Sequence, residues 1–149
     1  MILLVRHAVA LRRHEWDGPD RYRPLSPRGR EQARAICDAL FGYSPPAIVS
    51  SPATRCVETV DPLAKASGVE VNVVEDLFEG HGTDALDLVR GLHDAEGGIV
   101  VCSHGDVLRE LLLAFTTHLR DDVPPDPPFA KGAAWIVEDA SARYAAPPA

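Results

Sequence analysis

Three short apolar runs, each followed at once by polar or charged residues, constrain this chain more than any other feature. They occupy residues 1–5 (Met-Ile-Leu-Leu-Val), 46–50 (Pro-Ala-Ile-Val-Ser) and 98–103 (Gly-Ile-Val-Val-Cys-Ser). Continuous apolar runs of this length suit strands covered on both faces, as in a parallel sheet. Segments with helical spacing lie between and after them. Ser26 and Pro27 read as a cap and a first-turn proline, followed by Ala33, Ile36, Ala39 and Leu40 on one face and Gly42 as the stop. Ser51-Pro52 opens a second helix through Val57, Val60, Leu63 and Ala64, ending near Gly68. Thr83 or Asp84 caps a third, carrying Leu86, Val89 and Arg90, that runs to about His93. Gly105 opens a fourth with Val107, Leu108, Leu111, Leu112 and Phe115. Residues 69–74 and 133–138 read as further strands, 8–25 as a long loop, and the tail after Tyr144 as frayed. Strands that alternate with helices predict a three-layer α/β/α fold with a mainly parallel central sheet. At 149 residues, residues 1–149 are expected to form a single domain around one core.

Several function classes fall away on composition. No run approaches the roughly 18 apolar residues of a membrane span. The first strand meets Arg6-His7 directly, without a cleavage site, and so reads as structure and not as a signal peptide. Three cysteines (Cys37, Cys56, Cys102) form no CxxC pair, which predicts a reduced, cytoplasmic setting. A net charge of −7 opposes nucleic-acid binding. Yet residues 1–34 carry eight arginines against four acids, leaving −11 on the remainder. Such a distribution steers a small anion to one region.

In open α/β sheets ligands sit beyond the carboxyl ends of the strands. Those ends carry Arg6-His7-Ala8, Ser50-Ser51-Pro52 with Arg55 in the next turn, and Cys102-Ser103-His104-Gly105. If the three strands are neighbours, two imidazoles and two guanidiniums converge on one pocket, among helix N-termini whose free N–H groups favour anions. Arg forks match phosphate oxygens, so phosphate is the expected ligand. No HxxxH, HxH or CxxC spacing supports a metal site, so no metal and no cofactor are expected.

These residues carry a resemblance. Leu4-Val5-Arg6-His7-Ala8 resembles the Arg-His-Gly signature of the histidine phosphatase (phosphoglycerate mutase-like) superfamily, with Ala8 in place of the usual glycine. Ser50-Ser51-Pro52-x-x-Arg55-x-x-x-Thr59 resembles its second block, Glu79-Gly80 its acid loop, and Ser103-His104-Gly105 its second histidine block. Arg23-Pro24-Leu25-Ser26-x-x-Gly29-x-x-Gln32-Ala33 is similar to the short bacterial SixA-type phosphohistidine phosphatase branch. It is similar too to the histidine-phosphatase halves of some Nudix hydrolases, as is Lys131-Gly132-x-x-Trp135.

The resemblance implies that His7 is a nucleophile forming a phosphohistidine, and that Arg6, Arg55 and His104 hold the phosphoryl oxygens. It implies that Glu79 is the general acid and base, with Glu75 and Asp76 as neighbouring rivals. Neighbouring Arg6 and Arg55 should lower the His7 pKa, and a backbone acceptor should fix its tautomer. Arg13 is a further candidate phosphate contact; Arg12 and His81 are weaker ones, and Trp16 and Tyr22 are candidates for the mouth. Cys56 and Cys102 are expected in the core beside the site. The implied partner is a phosphorylated small molecule, such as a nucleotide or sugar phosphate, or a phosphohistidine-bearing protein. A non-catalytic phosphate-binding module of the same fold and an unrelated flavodoxin-like domain are the alternatives.

Overall fold

The computed structural model describes residues 1–93 and 98–148. Its secondary structure runs β1 (Ile2–Arg6), α1 (Pro27–Leu40), β2 (Ala47–Ser50), α2 (Thr54–Ser67), β3 (Val71–Val73), α3 (Gly82–His93), β4 (Ile99–Ser103), α4 (Gly105–Phe115), β5 (Ala134–Val137) and β6 (Ala142–Ala145). The six strands form one sheet in the order β3-β2-β4-β1-β5-β6. β3, β2, β4 and β1 are parallel, and β5 and β6 add an antiparallel edge.

Both faces of the sheet are covered, which is why its inner strands read as unbroken apolar runs. Ile2 and Leu4 of β1 pack with Val89 of α3 and Leu108 and Leu111 of α4. Leu3 and Val5 point the other way, into Ile36 and Leu40 of α1 and Val60 and Leu63 of α2. Each such fully buried side chain contributes about 1.5–3 kcal/mol relative to exposure. The result is the expected three-layer α/β/α arrangement. Among the described residues no helix is long and apolar enough to cross a membrane.

Four local readings change. α1 passes at Leu40 into a 3₁₀ turn, Phe41–Tyr43, and Ser44, not Gly42, takes the left-handed conformation that ends it (φ 48°). α2 starts at Thr54 because residues 51–53 are spent on the strand end and the site. α3 begins at Gly82, ahead of the expected cap. The tail is paired through Tyr144 and Ala145, since β6 completes a hairpin on β5 (Trp135 opposite Tyr144). Polar Arg143 and short Ala residues hid that strand from a reading by apolar runs.

The loop after His7 is locked onto α1 by backbone contacts. Val9 O accepts from Ser26 N–H (3.0 Å) and from the Ser26 hydroxyl (3.1 Å), and Val9 N–H donates to Gln32 Oε1 (3.0 Å). A Cβ at Gly29 would stand 1.9 Å from Val9 O, a backbone atom with nowhere to move. Gly29→Ala is therefore expected to destabilise by about 3 kcal/mol through overpacking, read as a lowered urea midpoint. An unchanged midpoint would show that this approach of loop to helix is not real.

Candidate active site

Strand order decides the site. β4 lies between β2 and β1, with Arg6 opposite Ser103 and Ser50 opposite Cys102, so the three predicted strand ends are flush neighbours. The ladder continues past them through His7 N–H to Ser103 O (3.2 Å) and Ser51 N–H to Cys102 O (2.9 Å). A cavity of about 620 Å³ opens there, and His7, His104, Arg6, Arg55, Arg13 and Glu79 all line it. The two imidazole centroids are 5.6 Å apart, edge to face.

His7 is buried, and its Nδ1 lies 2.8 Å from the Ala8 carbonyl. A carbonyl only accepts, so the neutral ring carries its proton on Nδ1 and keeps a lone pair on Nε2. Burial is the main reason its pKa falls to about 3; the Ala8 hydrogen bond opposes the fall, and Arg55, His104 and Arg6 add to it. The expected direction holds, but desolvation outweighs the arginines. Ala8 directs its methyl into a small cluster with Leu25 and Ala33, away from the cavity. Its N–H donates to Thr59 Oγ1 (2.9 Å), which itself donates to Arg55 O (2.6 Å), tying β1's end to α2.

Arg55 is 1% exposed. Nη1 donates to Asp20 O (3.0 Å), and Nη2 donates to Glu79 Oε1 (2.5 Å) and lies 3.5 Å from Asp20 Oδ2. Its Nε is buried without an acceptor, as is Nε of Arg6, whose Nη1 donates to Phe129 O. Burial lowers the Arg6 pKa first and neighbouring Arg109 second. His104 is held by Ser51, whose Oγ lies 2.8 Å from Nε2 and accepts from Ala53 N–H (3.2 Å). Phe78 stacks edge-on at 5.5 Å between centroids. His104 Nδ1 stands 3.1 Å from Glu79 Oε1, an electrostatic contact off hydrogen-bond alignment that leaves this buried nitrogen without a hydrogen-bond partner.

Among the three acids weighed, Glu79 faces the cavity. Its side chain is 44% exposed, so it meets both solvent and its two partners, Arg55 and His104. Gly80 adopts φ 82° and donates its N–H to Asp106 Oδ2 (2.9 Å), which turns Glu79 inward. Glu75 is paired with Arg21 on the outside, and Asp76 does not line the cavity. Arg12 and Arg13 both line the cavity, the Arg13 side chain largely in solvent and 3.9 Å from Asp20. His81, Trp16 and Tyr22 stay outside the lining. Trp16 donates to Pro19 O and packs against Gly18, while Tyr22 is exposed. Cys56 and Cys102 are fully buried as expected, with Cys56 Sγ 3.7 Å from His104 Nε2.

Asp20, Arg23, Asp106, Arg109 and Lys131 had no assigned role in the sequence reading. They sit in loops or on a helix face, and only the fold brings Asp20 to Arg55, and Arg23, Asp106, Arg109 and Lys131 to the cavity. Outside it, Asp76, His81 and Asp84 offer ligand atoms within 4.8 Å of one another, an exposed rim cluster of the kind common without an ion.

Residues 2–85 match the family model described as Histidine phosphatase superfamily (branch 1). The chain belongs to the histidine phosphatase superfamily. Its curated relatives include an 8-oxo-(d)GTP phosphatase of Mycolicibacterium smegmatis, 29% identical over 157 residues that cover 99% of this chain and 48% of the relative. The chain thus spans about half the length of that relative. Among solved structures, a SixA protein of Agrobacterium tumefaciens, described there as a candidate phosphohistidine phosphatase, superposes with a TM-score of 0.77 at 24% identity, covering 99% of this chain and 97% of the other. The protein histidine phosphatase SixA complexed with tungstate gives 0.75 at 19% identity, covering 97% and 93%. These likenesses establish the superfamily fold, whose sheet this chain shares.

Proposed function

We propose that this chain, read as one domain over residues 1–149, is a phosphatase that works through a phosphohistidine on His7. The observation that carries the reading is the His7 ring. Its Nδ1 is committed to Ala8 O, so an unprotonated Nε2 is available beside Arg6, Arg55 and His104. In the first half-reaction Nε2 attacks phosphorus, the N–P bond forms, and the P–O bond to the leaving group breaks. Glu79 delivers a proton to the leaving oxygen. Arg6, Arg55 and His104 hold the non-bridging oxygens and stabilise the charge of the in-line transition state. In the second half-reaction water attacks phosphorus, Glu79 takes the proton, the N–P bond breaks and inorganic phosphate leaves. No step draws on a metal or cofactor.

The substrate is a phosphorylated small molecule or a phosphohistidine-bearing protein. The relatives' stated activities, on a nucleotide and on protein histidine, support one each. The test is a quench of turnover on p-nitrophenyl phosphate. An alkali-stable, acid-labile phosphoryl group is expected on His7 by mass spectrometry, and Glu79→Gln should raise its steady-state level by slowing water activation. Turnover without label on His7, or turnover abolished by a chelator, would overturn the mechanism.

A further inference from the structure

The cavity holds more cationic groups than the transfer of one phosphoryl group employs. Besides Arg6 and Arg55, its walls carry Arg109 from α4 and Lys131 from the segment before β5. Gly105 shows how closely the first of these approaches. A Cβ there would stand 3.4 Å from Arg6 Nη1 and 3.5 Å from Arg109 Nη1, so the two guanidiniums face each other across the start of α4. Arg109 Nε donates to Pro127 O (3.3 Å). Its nearest carboxylate, Asp126, is 3.9 Å away and 97% exposed, too well solvated to neutralise it. Nη1 of Arg109 has no protein acceptor among the described residues.

Lys131 lines the same cavity and lies within electrostatic reach of Arg6. The next residue, Gly132, donates its N–H to the carbonyls of Arg6 (3.2 Å) and His7 (3.0 Å). Lys131 makes no ion pair among the described residues. Burial first, then Arg6, Arg23, Arg55 and Arg13, hold its ammonium below the usual pKa. Two acids line the cavity: Glu79 is paired with Arg55, and Asp106, which accepts from Gly80 N–H, offsets part of the charge on Arg6. The cationic side chains that line the cavity (Arg6, Arg12, Arg13, Arg23, Arg55, Arg109 and Lys131) exceed its acids, Glu79 and Asp106. Like charges in such excess repel, and a bound anion relieves that repulsion.

We propose that Arg109 and Lys131, which share the cavity with Arg6, supply a second anion subsite, and that the substrate is a small molecule bearing a second anionic group beside the phosphoryl that is transferred. The proposal rests on the His7 reading for which phosphoryl is transferred. Diphosphate esters and bisphosphates share this chemistry. A phosphorylated imidazole on a protein offers one anionic group and leaves the subsite unused.

The test compares kcat/KM for a nucleoside diphosphate, a sugar bisphosphate and p-nitrophenyl phosphate in the wild type, Arg109→Gln and Lys131→Met, with melting curves as a folding control. The wild type should prefer at least one bis-anionic substrate over the monoester by tenfold or more, and whichever is preferred names the source. Each variant should reduce that preference by about tenfold, mainly through KM, the scale of one lost charge-assisted contact. Equal efficiency on mono- and bis-anionic substrates, or a proportional loss on all three, overturns the subsite. So does a phosphohistidine protein that proves the best substrate and is indifferent to both variants. A bis-anion preference that persists while His7 carries no label counts for the subsite and against the nucleophile, so the two failures are distinguishable.

Discussion

His7→Gln is expected to lower turnover by about 10⁴-fold or more, the scale on which an enzyme loses rate when its nucleophile is removed. Glutamine occupies similar volume and can still reach the Ala8 carbonyl, but its amide nitrogen has no lone pair to give to phosphorus. The same substitution should alter the acid side of the stability curve. His7 is held near pKa 3 in the folded protein, mainly by burial, against an ordinary value of 6.5. The folded state therefore resists a proton that the unfolded state accepts. The stability this contributes is fully present above pH 6.5 and is lost as pH falls from 6.5 towards 3, by roughly 5 kcal/mol across the window. Carboxylates such as Asp20, whose pKa is lowered although burial opposes its hydrogen bond to Arg23, lose stability in the same direction. The informative quantity is the difference between wild type and variant. Urea midpoints measured from pH 7 to pH 4 should fall less steeply in His7→Gln. Parallel curves would mean that the ring is not buried in its neutral form, and retained turnover would assign the nucleophile elsewhere.

Arg55→Lys should cost about 10²–10³ in kcat, the usual effect of losing an oriented donor at a charge-developing centre. The charge is conserved but the fork is not. Arg55 uses Nη1 on Asp20 O and Nη2 on Glu79 Oε1, and keeps Nε buried without an acceptor on the cavity wall. An ammonium is a point charge on a flexible stem and cannot serve Asp20, Glu79 and a phosphoryl oxygen at once. Stability should drop less than activity, because Glu79 is 44% exposed and can return to water when its partner leaves. A steady-state assay with a thermal melt separates the two effects. Near-wild-type kcat in Arg55→Lys would remove Arg55 from the transition state and leave it a role in holding the loop around Asp20.

Much of the candidate site was legible because its residues sit at or just after strand ends. Arg6-His7 and His104 follow an apolar run directly, Arg55 lies in the helix turn just after one, and a parallel sheet points all such ends one way. Thr59 stood in a recognised block, yet its role as a bridge between Ala8 N–H and Arg55 O depends on α2 packing against β1's end. Asp20 and Asp106 carried no local signal, since a carboxylate in a loop or first helical turn is most often solvated. β6 was missed because edge strands need only one covered face and lack the continuous apolar pattern.

By itself, the order of residues determined the layered α/β class, the inner strands and which side chains stand as candidates at the strand ends. Hydrophobic periodicity and residue type are local properties, and each was complete within a dozen neighbouring positions. Only the tertiary structure decided that β4 lies between β1 and β2, that Glu79 rather than Glu75 turns inward, and that Arg109 and Lys131 share a cavity with Arg6. Those facts are distances between groups far apart along the chain. They are set by how helices cover a sheet and by which charges burial forces together.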